Sequence, residues 1–342
     1  MFYIHQAYCI SPQQTFINAG WNVLHESSDN QLKVIEPAYE NIPRNLLRRM
    51  GRSVRTGVGA AFPILNETKD IDGIIIGTAT AGKEDSFFFL KQVMEYEEGL
   101  LTPANFVQST GNAIASQIGI LSHNTSYNIT HVHEGLAFEN AMLDVALLLQ
   151  ENSENHYLLG GADELSDYDF NLNKLAGCYK EGITSNKNLY ESDTPGTIAG
   201  EGAVMFLANN VQENAIAKID IIKTLFTTNV EEIQQAIKTL LAQYSIDIFI
   251  SGENGDNRHT RFYAACEEAL KDDTAIIRFK HLCGEYPTAS AFATFLACDI
   301  LQKQNIPDAV IKKSASEKQL KNILLYNNYQ GKQHSFVLVS GV

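Results

Sequence analysis

Asp193-Thr194-Pro195-Gly196-Thr197-Ile198-Ala199-Gly200-Glu201-Gly202-Ala203 is the stretch of this sequence that decides the fold. It places three glycines among eleven residues, and two of them flank a single glutamate. Glycine has no Cβ, so it is favoured where two backbones approach closely. The stretch therefore predicts that Gly200 and Gly202 have a structural role in close backbone packing.

Upstream of this stretch, short apolar runs alternate with longer segments. Ile71–Thr78 is a nearly continuous apolar run, as expected for a strand that is buried on both faces. Glu134–Leu149 has apolar residues at near-helical spacing over a wide face, which predicts a buried helix. The other elements predicted here are a helix at Ala104–Ile120 that stops near Gly119, and strands at Tyr127–Thr130 and Tyr157–Gly160.

Downstream of the stretch, the same alternation recurs. It predicts two halves, residues 1–207 and 208–342, with layered α/β architecture and mostly parallel sheets. The halves join through Ala208–Ile221 without a linker rich in Pro, Gly or Ser, so we expect them to pack as one unit. The predicted downstream helices are Val230–Gln243, Thr260–Lys271 and Ala289–Gln302, and the predicted strands are Asp247–Ser251, Ile276–Phe279, Ile323–Tyr326 and Phe336–Ser340.

The composition limits the class of protein. Of the 342 residues, 44% are hydrophobic and 19% are charged, which favours a folded protein with a large core. The formal net charge of −14 disfavours binding to nucleic acid or to an anionic membrane. The dense basic run is interpreted first as a solvated helix face and second as a docking patch; it comprises Arg44, Arg48, Arg49, Arg52 and Arg55.

The five cysteines indicate neither a disulfide framework nor a zinc site, because they are odd in number and contain no C-x-x-C pair. The N-terminal residues lack the pattern of a signal peptide, and no apolar run approaches the length of a membrane span. We therefore predict a cytoplasmic protein without a cofactor.

Three ordered segments together carry a family resemblance. They are Thr102-Pro103-Ala104-Asn105-Phe106 with Ser109, Asn112 and Ala115; Leu158-Leu159-Gly160-Gly161-Ala162-Asp163-Glu164; and the Asp193–Ala203 stretch, which has the spacing D-x-x-G-x-x-x-G-E-G-A. With weaker support around Lys280, the chain resembles the β-ketoacyl synthase family of the thiolase superfamily. The resemblance implies a thiolase-like fold, in which duplicated β/α halves form five αβαβα layers.

The resemblance also locates the family's nucleophile, in the turn Asn128-Ile129-Thr130-His131-Val132-His133-Glu134-Gly135. In this family a cysteine thiolate carries the acyl group, and helix N-terminal amides stabilise a thiolate and a developing oxyanion. The position of that cysteine, two residues after Thr130, is Val132, whose side chain cannot form an acyl-enzyme.

The family's two catalytic histidines also match other residue types. The first falls on Ser251 or Gly252, and the second falls on Glu285, five residues after Lys280. Lys280 is retained, and we expect it to be an ion-pair partner of Glu201 or of another acid.

The polar residues that remain near these positions admit several readings. His131, His133 and Glu134 are interpreted first as a helix cap or an interface, and second as catalytic residues. Glu285 and His133 would form an acid/base pair if their loops converge. Cys283 is interpreted as a buried thiol rather than a displaced nucleophile, and a metal site of His131, His133 and Glu285 is a minor alternative.

The resemblance, together with these losses, implies a non-condensing homologue that pairs with an active ketosynthase, as a chain length factor does. Such a pair would act with an acyl carrier protein in fatty-acid or polyketide synthesis, and the chain also resembles homologues from aryl-polyene and flexirubin-type pigment clusters. One alternative is an enzyme that acts on thioesters through His133 and Glu285 without a cysteine acyl-enzyme. Another is a homodimer that binds acyl chains.

Overall fold

The computed structural model describes residues 1–17, 20–21, 23–27, 29–40, 42–97, 99, 101, 103–316 and 318–342. The strands are β1 (Phe2–Ile10), β2 (Gln31–Leu32), β3 (Gly73–Thr78), β4 (Tyr127–Val132), β5 (Tyr157–Asp163), β6 (Ala199–Gly200), β7 (Gly202–Asn209), β8 (Ala217–Phe226), β9 (Ile248–Ser251), β10 (Ala275–Arg278), β11 (Ile311–Lys313), β12 (Asn322–Tyr329) and β13 (Gln333–Ser340). The helices are α1 (Arg44–Leu47), α2 (Arg52–Glu67), α3 (Lys83–Glu95), α4 (Pro103–Gln108), α5 (Ala113–Ser122), α6 (Ala137–Glu151), α7 (Asp167–Leu175), α8 (Val230–Leu241), α9 (Thr260–Glu267), α10 (Lys280–Cys283) and α11 (Ala289–Lys303).

One sheet of eleven strands runs through both halves, in the order β11-β10-β9-β12-β13-β8-β1-β7-β5-β3-β4. The section β4-β3-β5-β7-β1 repeats as β10-β9-β12-β13-β8, so the predicted duplication is present in the topology. The sections meet where β1 pairs with β8, through Phe2 and Ile219 among others.

The prediction of mostly parallel sheets is wrong. In each section three strands are parallel, but β7 and β13 return antiparallel to β5 and β12. For β12 and β13 the reason is their connection, which is a short hairpin, whereas a parallel crossover needs a dozen or more residues.

Helices cover both faces of the sheet in five layers. Helices α2 and α5 pack outside the first section, and α8 and α9 pack outside the second. Between the sections lie α6 and α11, each of which contacts strands of both. In α11, 12 of the 15 residues are buried, as expected for a helix without a solvent face. The layered fold that the resemblance implies is therefore present.

Several predicted element bounds need correction. The predicted helix Ala104–Ile120 is two helices, α4 and α5, because Ser109 and Thr110 hydrogen-bond back to carbonyls of α4 and interrupt the ladder. Gly119 lies inside α5, which ends instead at His123 in the left-handed conformation. Half of the predicted connection Ala208–Ile221 is strand, since β7 ends at Asn209 and β8 begins at Ala217.

Candidate functional site

A cavity of about 340 Å³ lies where loops of both halves meet. Its wall includes Glu134 after β4, Glu164 after β5, Asn254 and Asp256 after β9, and Glu285 after α10; Lys83, Cys178, Arg258, His259 and Tyr329 also line it. The carboxyl ends of strands from both sections thus supply the side chains, which is where ligands bind in many α/β folds.

Lys280 and Glu285 form a buried ion pair at this wall. The Lys280 Nζ lies 2.6 Å from Glu285 Oε1, and the exposed fractions of the two side chains are 0% and 9%. Asn254 Nδ2 donates to the other carboxylate oxygen at 2.7 Å. Both oxygens of Glu285 therefore have partners, which disfavours its use as a general base.

The expected partner of Lys280 was Glu201 or another acid, and the structure shows Glu285 in that place. Glu201 instead accepts from Arg52 Nη1 at 2.7 Å and from the N–H groups of Val34 and Leu165. Because burial is the largest influence, the pKa of Glu201 is raised despite Arg52. Glu201 thus holds the GEGA segment to α2 rather than reaching the cavity.

Asn254 is the site residue that the sequence did not reveal. Ser251 ends β9 in the core, and the Gly252 N–H donates to the Tyr326 carbonyl. Neither Ser251 nor Gly252 lines the cavity. The residue of this loop that hydrogen-bonds to Glu285 is Asn254. Thr197 of the Asp193–Ala203 stretch holds this loop, because its hydroxyl donates to the Asn254 carbonyl at 2.6 Å.

The side chains at the end of β4 and in the turn that follows it do not all face the cavity. Val132 is 63% exposed and does not line the cavity, whereas Glu134 does. His131 Nε2 lies 3.0 Å from Asp144 Oδ2, an oxygen that also accepts from the Tyr127 hydroxyl. Among the described residues, the exposed His133 side chain has no hydrogen bond and does not line the cavity, so the structure does not bring it into contact with Glu285.

The helix-cap reading of His131, His133 and Glu134 is wrong. Helix α6 begins at Ala137, its cap residue is Leu136, and no side chain caps it. The physical reason is that the strand continues through Val132 and a turn separates it from the helix. The interface reading of these residues remains a prediction.

The thiols are poor nucleophiles in their surroundings. Burial raises the pKa of Cys9 and of Cys298 to about 12, and it raises the pKa of Cys283 further despite Lys280 nearby. Cys283 is thus the buried thiol that the sequence predicted. Cys178 is half-buried at the cavity wall, and burial also raises its pKa. Within the described part of the chain, no three His, Cys, Asp or Glu side chains assemble as metal ligands, and His131, His133 and Glu285 do not converge.

The arginine run divides into two groups. Arg52 binds Glu201 and the Leu165 carbonyl, and Arg55 binds both oxygens of Glu36 at 2.6 Å. Arg44, Arg48 and Arg49 are exposed. The solvated-face interpretation therefore fits only these last three.

The glycines of the Asp193–Ala203 stretch have the structural role that the sequence predicted. A Cβ on Gly200 would lie 2.7 Å from the Cα of Gly284. The two backbones touch here because the Gly200 N–H donates to the Glu285 carbonyl at 3.0 Å. This contact places Glu285 at the cavity wall. In the upstream motif, Thr102 lies outside the described residues.

Comparison with known proteins agrees with this geometry. Residues 21–174 match the family described as "Beta-ketoacyl synthase, N-terminal domain". This segment, which is slightly less than half of the chain, is similar to the N-terminal domain of the β-ketoacyl synthases. No curated protein matches the chain in sequence. Solved ketosynthase structures match the whole chain.

The structural matches share the ketosynthase fold at low sequence identity. The ishigamide ketosynthase/chain length factor is 16% identical, with a TM-score of 0.80, over 100% of this chain and 99% of that one. The ketosynthase ApeO in complex with its chain length factor ApeC, from Xenorhabdus doucetiae, is 13% identical, with a TM-score of 0.72, over 100% and 98%. The type II acyl-carrier-protein complex AntDE:AntF with its hexaketide-bound ketosynthase is 15% identical, with a TM-score of 0.76, over 100% and 99%.

The chain therefore has the thiolase-like fold of the ketosynthases. Across the described residues, no helix combines the length and the apolar character needed to cross a membrane.

Proposed function

We propose that this chain is a non-condensing β-ketoacyl synthase homologue that acts as the chain-length-factor-like partner of an active ketosynthase. The observation that carries the proposal is the Lys280–Glu285–Asn254 cluster. The resemblance implies that Glu285 stands at the position of the family's second histidine, and both oxygens of its carboxylate are already bonded. Condensation needs a thiolate and free hydrogen-bond donors for the developing oxyanion. In this cluster, Glu285 is a hydrogen-bond acceptor at a position where condensation would need a hydrogen-bond donor.

The charge of the cavity supports the loss of condensing activity. Five carboxyl groups line it, those of Glu134, Glu164, Asp169, Asp256 and Glu285. The cations Lys83, Arg258 and Lys280 already pair with Asp169, Asp256 and Glu285. Arg258 is bonded to Asp256 at 2.5 Å, so it is not free for a ligand. A malonyl group carries its own carboxylate, and a wall whose cations are already paired offers that carboxylate little counter-charge.

The unpaired edge of β4 supports the proposal that a partner subunit binds there. No described strand pairs with its outer side, and an unpaired edge is a template for another chain. Two of the structural matches are ketosynthase and chain length factor assemblies, and one contains an acyl carrier protein. We extend these relationships to this chain: a ketosynthase subunit at β4, an acyl carrier protein as a transient partner, and a polyene-type product in the cytoplasm. A second copy of the chain is the alternative partner.

The test compares the chain alone with the chain co-expressed beside a cysteine-bearing ketosynthase of the same genome. Alone, with acyl- and malonyl-carrier protein, it should form no product and gain no acyl mass. With the ketosynthase it should co-purify and restore elongation. Val132→Asp, at the open edge, should weaken co-purification at least tenfold. Val211→Asp, a matched exposed valine after β7, should not.

Acylation of a cysteine together with primer elongation by the isolated chain would refute the proposal. Equal losses in the two valine variants would refute the placement of the partner at β4.

A further inference from the structure

Lys280, Glu285 and Asn254 place a buried amine, acid and amide in one hydrogen-bonded row. The Glu285 carboxylate accepts from Lys280 Nζ at 2.6 Å and from Asn254 Nδ2 at 2.7 Å. The exposed fractions of Lys280 and Asn254 are 0% and 4%. Because both bonds go to one carboxylate, the amine and the side-chain amide are neighbours. The row therefore contains a nucleophile, an electrophile and a group that can carry protons between them.

The Asn254 amide is held in the way that attack by an amine requires. Its Oδ1 accepts from the Asp256 N–H at 3.1 Å, and a backbone N–H directed at a carbonyl oxygen stabilises the negative charge that develops there during attack. Its Nδ2, the nitrogen that would leave, is the atom bonded to Glu285. An acid bonded to the leaving nitrogen can supply the proton with which that nitrogen departs.

The surroundings of Lys280 also suit this chemistry. Its Nζ lies 5.1 Å from the centre of the Phe279 ring, which is fully buried. A lysine attacks a carbonyl carbon only as the free amine, and the Glu285 oxygen at 2.6 Å is in place to accept the proton that must leave first. Asn254 and Glu285 line the cavity, which gives a small product such as ammonia a path to solvent.

We propose that Lys280 and Asn254 become joined by an intramolecular amide bond after the chain has folded. Glu285 takes a proton from the Lys280 ammonium, and the free Nζ attacks Cγ of Asn254. Glu285 passes that proton to Nδ2 as the Cγ–Nδ2 bond breaks, and it takes a second proton from Nζ. The products are one Nζ–Cγ amide, one ammonia molecule and a protonated Glu285. Glu285 thus moves protons between its own two neighbours rather than to or from a ligand, and the bond ties the loop after β9 to the α10 segment.

Mass spectrometry of the full-length protein tests the bond without a partner or turnover. For folded wild-type protein held at pH 7, we expect an intact mass below that of the sequence by one ammonia molecule. After proteolysis we expect a branched peptide that joins Lys280 to Asn254. Glu285→Gln removes the proton carrier and should show the full mass and no branched peptide. Glu164→Gln changes another buried acid of the same cavity wall and should retain both signals.

A competing reaction must be separated from this one. Asn254 is followed by Gly255, and ring closure of the Asn254 side chain onto the Gly255 nitrogen would also release ammonia. Lys280→Met removes the amine, so it should restore the full mass, whereas ring closure would continue in this variant. If a variant does not fold, the branched peptide of the wild-type protein decides between the two reactions.

A full intact mass in the folded wild-type protein would overturn the proposal, as would a loss of ammonia without a branched peptide between Lys280 and Asn254. Either result leaves the non-condensing role intact, because that role is tested by turnover, acylation and co-purification.

Discussion

The two halves of the molecule differ in whether their equivalent edge strands, β4 and β10, are paired on the outer side. β4 and β10 hold the same outer position in the two repeated sections. β10 is covered by β11, which pairs with it antiparallel through Ile276 and Lys313. The outer side of β4 has no partner strand within the described ranges. The chain therefore covers the β10 edge with its own strand, whereas the β4 edge is free to pair with a second molecule.

The turns that follow these two strands also differ, because the side chains are buried after β10 and exposed after β4. After β10, Lys280 and Glu285 are buried and bonded to each other. After β4, Val132, His133 and Glu134 are exposed. The turn of the second half therefore supports stability, whereas the turn of the first half is available for contacts. Three substitutions can break or sharpen this contrast.

The largest effect should come from Lys280→Met. It leaves the Glu285 carboxylate buried without its counter-charge, and the loss of one partner of a buried pair costs about 3–5 kcal/mol. We expect the free energy of unfolding, measured by urea denaturation at pH 7, to fall by about that amount. The double variant Lys280→Met/Glu285→Leu should recover most of the loss. A loss below about 1 kcal/mol would mean that this turn is not a stability element.

A smaller effect should come from Glu164, a buried acid of the first half that lacks a lysine partner. Within the part of the chain that the structure describes, its carboxylate accepts only from the N–H groups of Ser53 and Glu84, at 3.2 Å each. Burial raises its pKa to about 7. The folded protein therefore binds this proton more tightly than the unfolded chain, and stability is lost as the pH rises through 7.

Between pH 5 and pH 8 this loss should be about 2–3 kcal/mol, and Glu164→Gln should abolish it. Glu95→Gln, an exposed acid at the end of α3, is the control and should keep the wild-type slope. The free energy of unfolding across this pH range provides the measurement. An unchanged slope in Glu164→Gln would contradict the assignment.

The smallest effect on stability should come from Val132→Asp. Exposed positions tolerate substitution within about 0.5 kcal/mol, so the thermal midpoint of the isolated chain should barely change. The same replacement at buried Ile277 in β10 should be strongly destabilising. A large loss of stability in Val132→Asp would show that the isolated chain already covers this edge.

Positions that depend on fixed spacing could be predicted from the sequence. Val132 and Glu285 stand in motifs whose neighbours keep their order, and their match to the family's cysteine and second histidine stays a prediction. Gly200 was predictable because close backbone approach requires glycine. The central helices α6 and α11 followed from their apolar spacing.

Positions that depend on a loop path could not be predicted. Asn254 reaches Glu285 only because the loop after β9 is held by Thr197, a contact across the two halves. The three residues of β11 are too few for a periodic signal. The break between α4 and α5 depends on side-chain hydrogen bonds of Ser109 and Thr110 that compete with the helix ladder.

The middle layer, formed by α6 and α11, packs against strands of both halves, so neither half can bury its core without the other. A fragment that ended at Asn209 would retain α6 but lose α11 and the strands of the other section that α6 contacts. The remaining fragment would keep α11 without β1, β5 and β7, against which it also packs. Each piece would then expose an apolar helix face to water, so we expect the two halves to unfold together as a single cooperative unit.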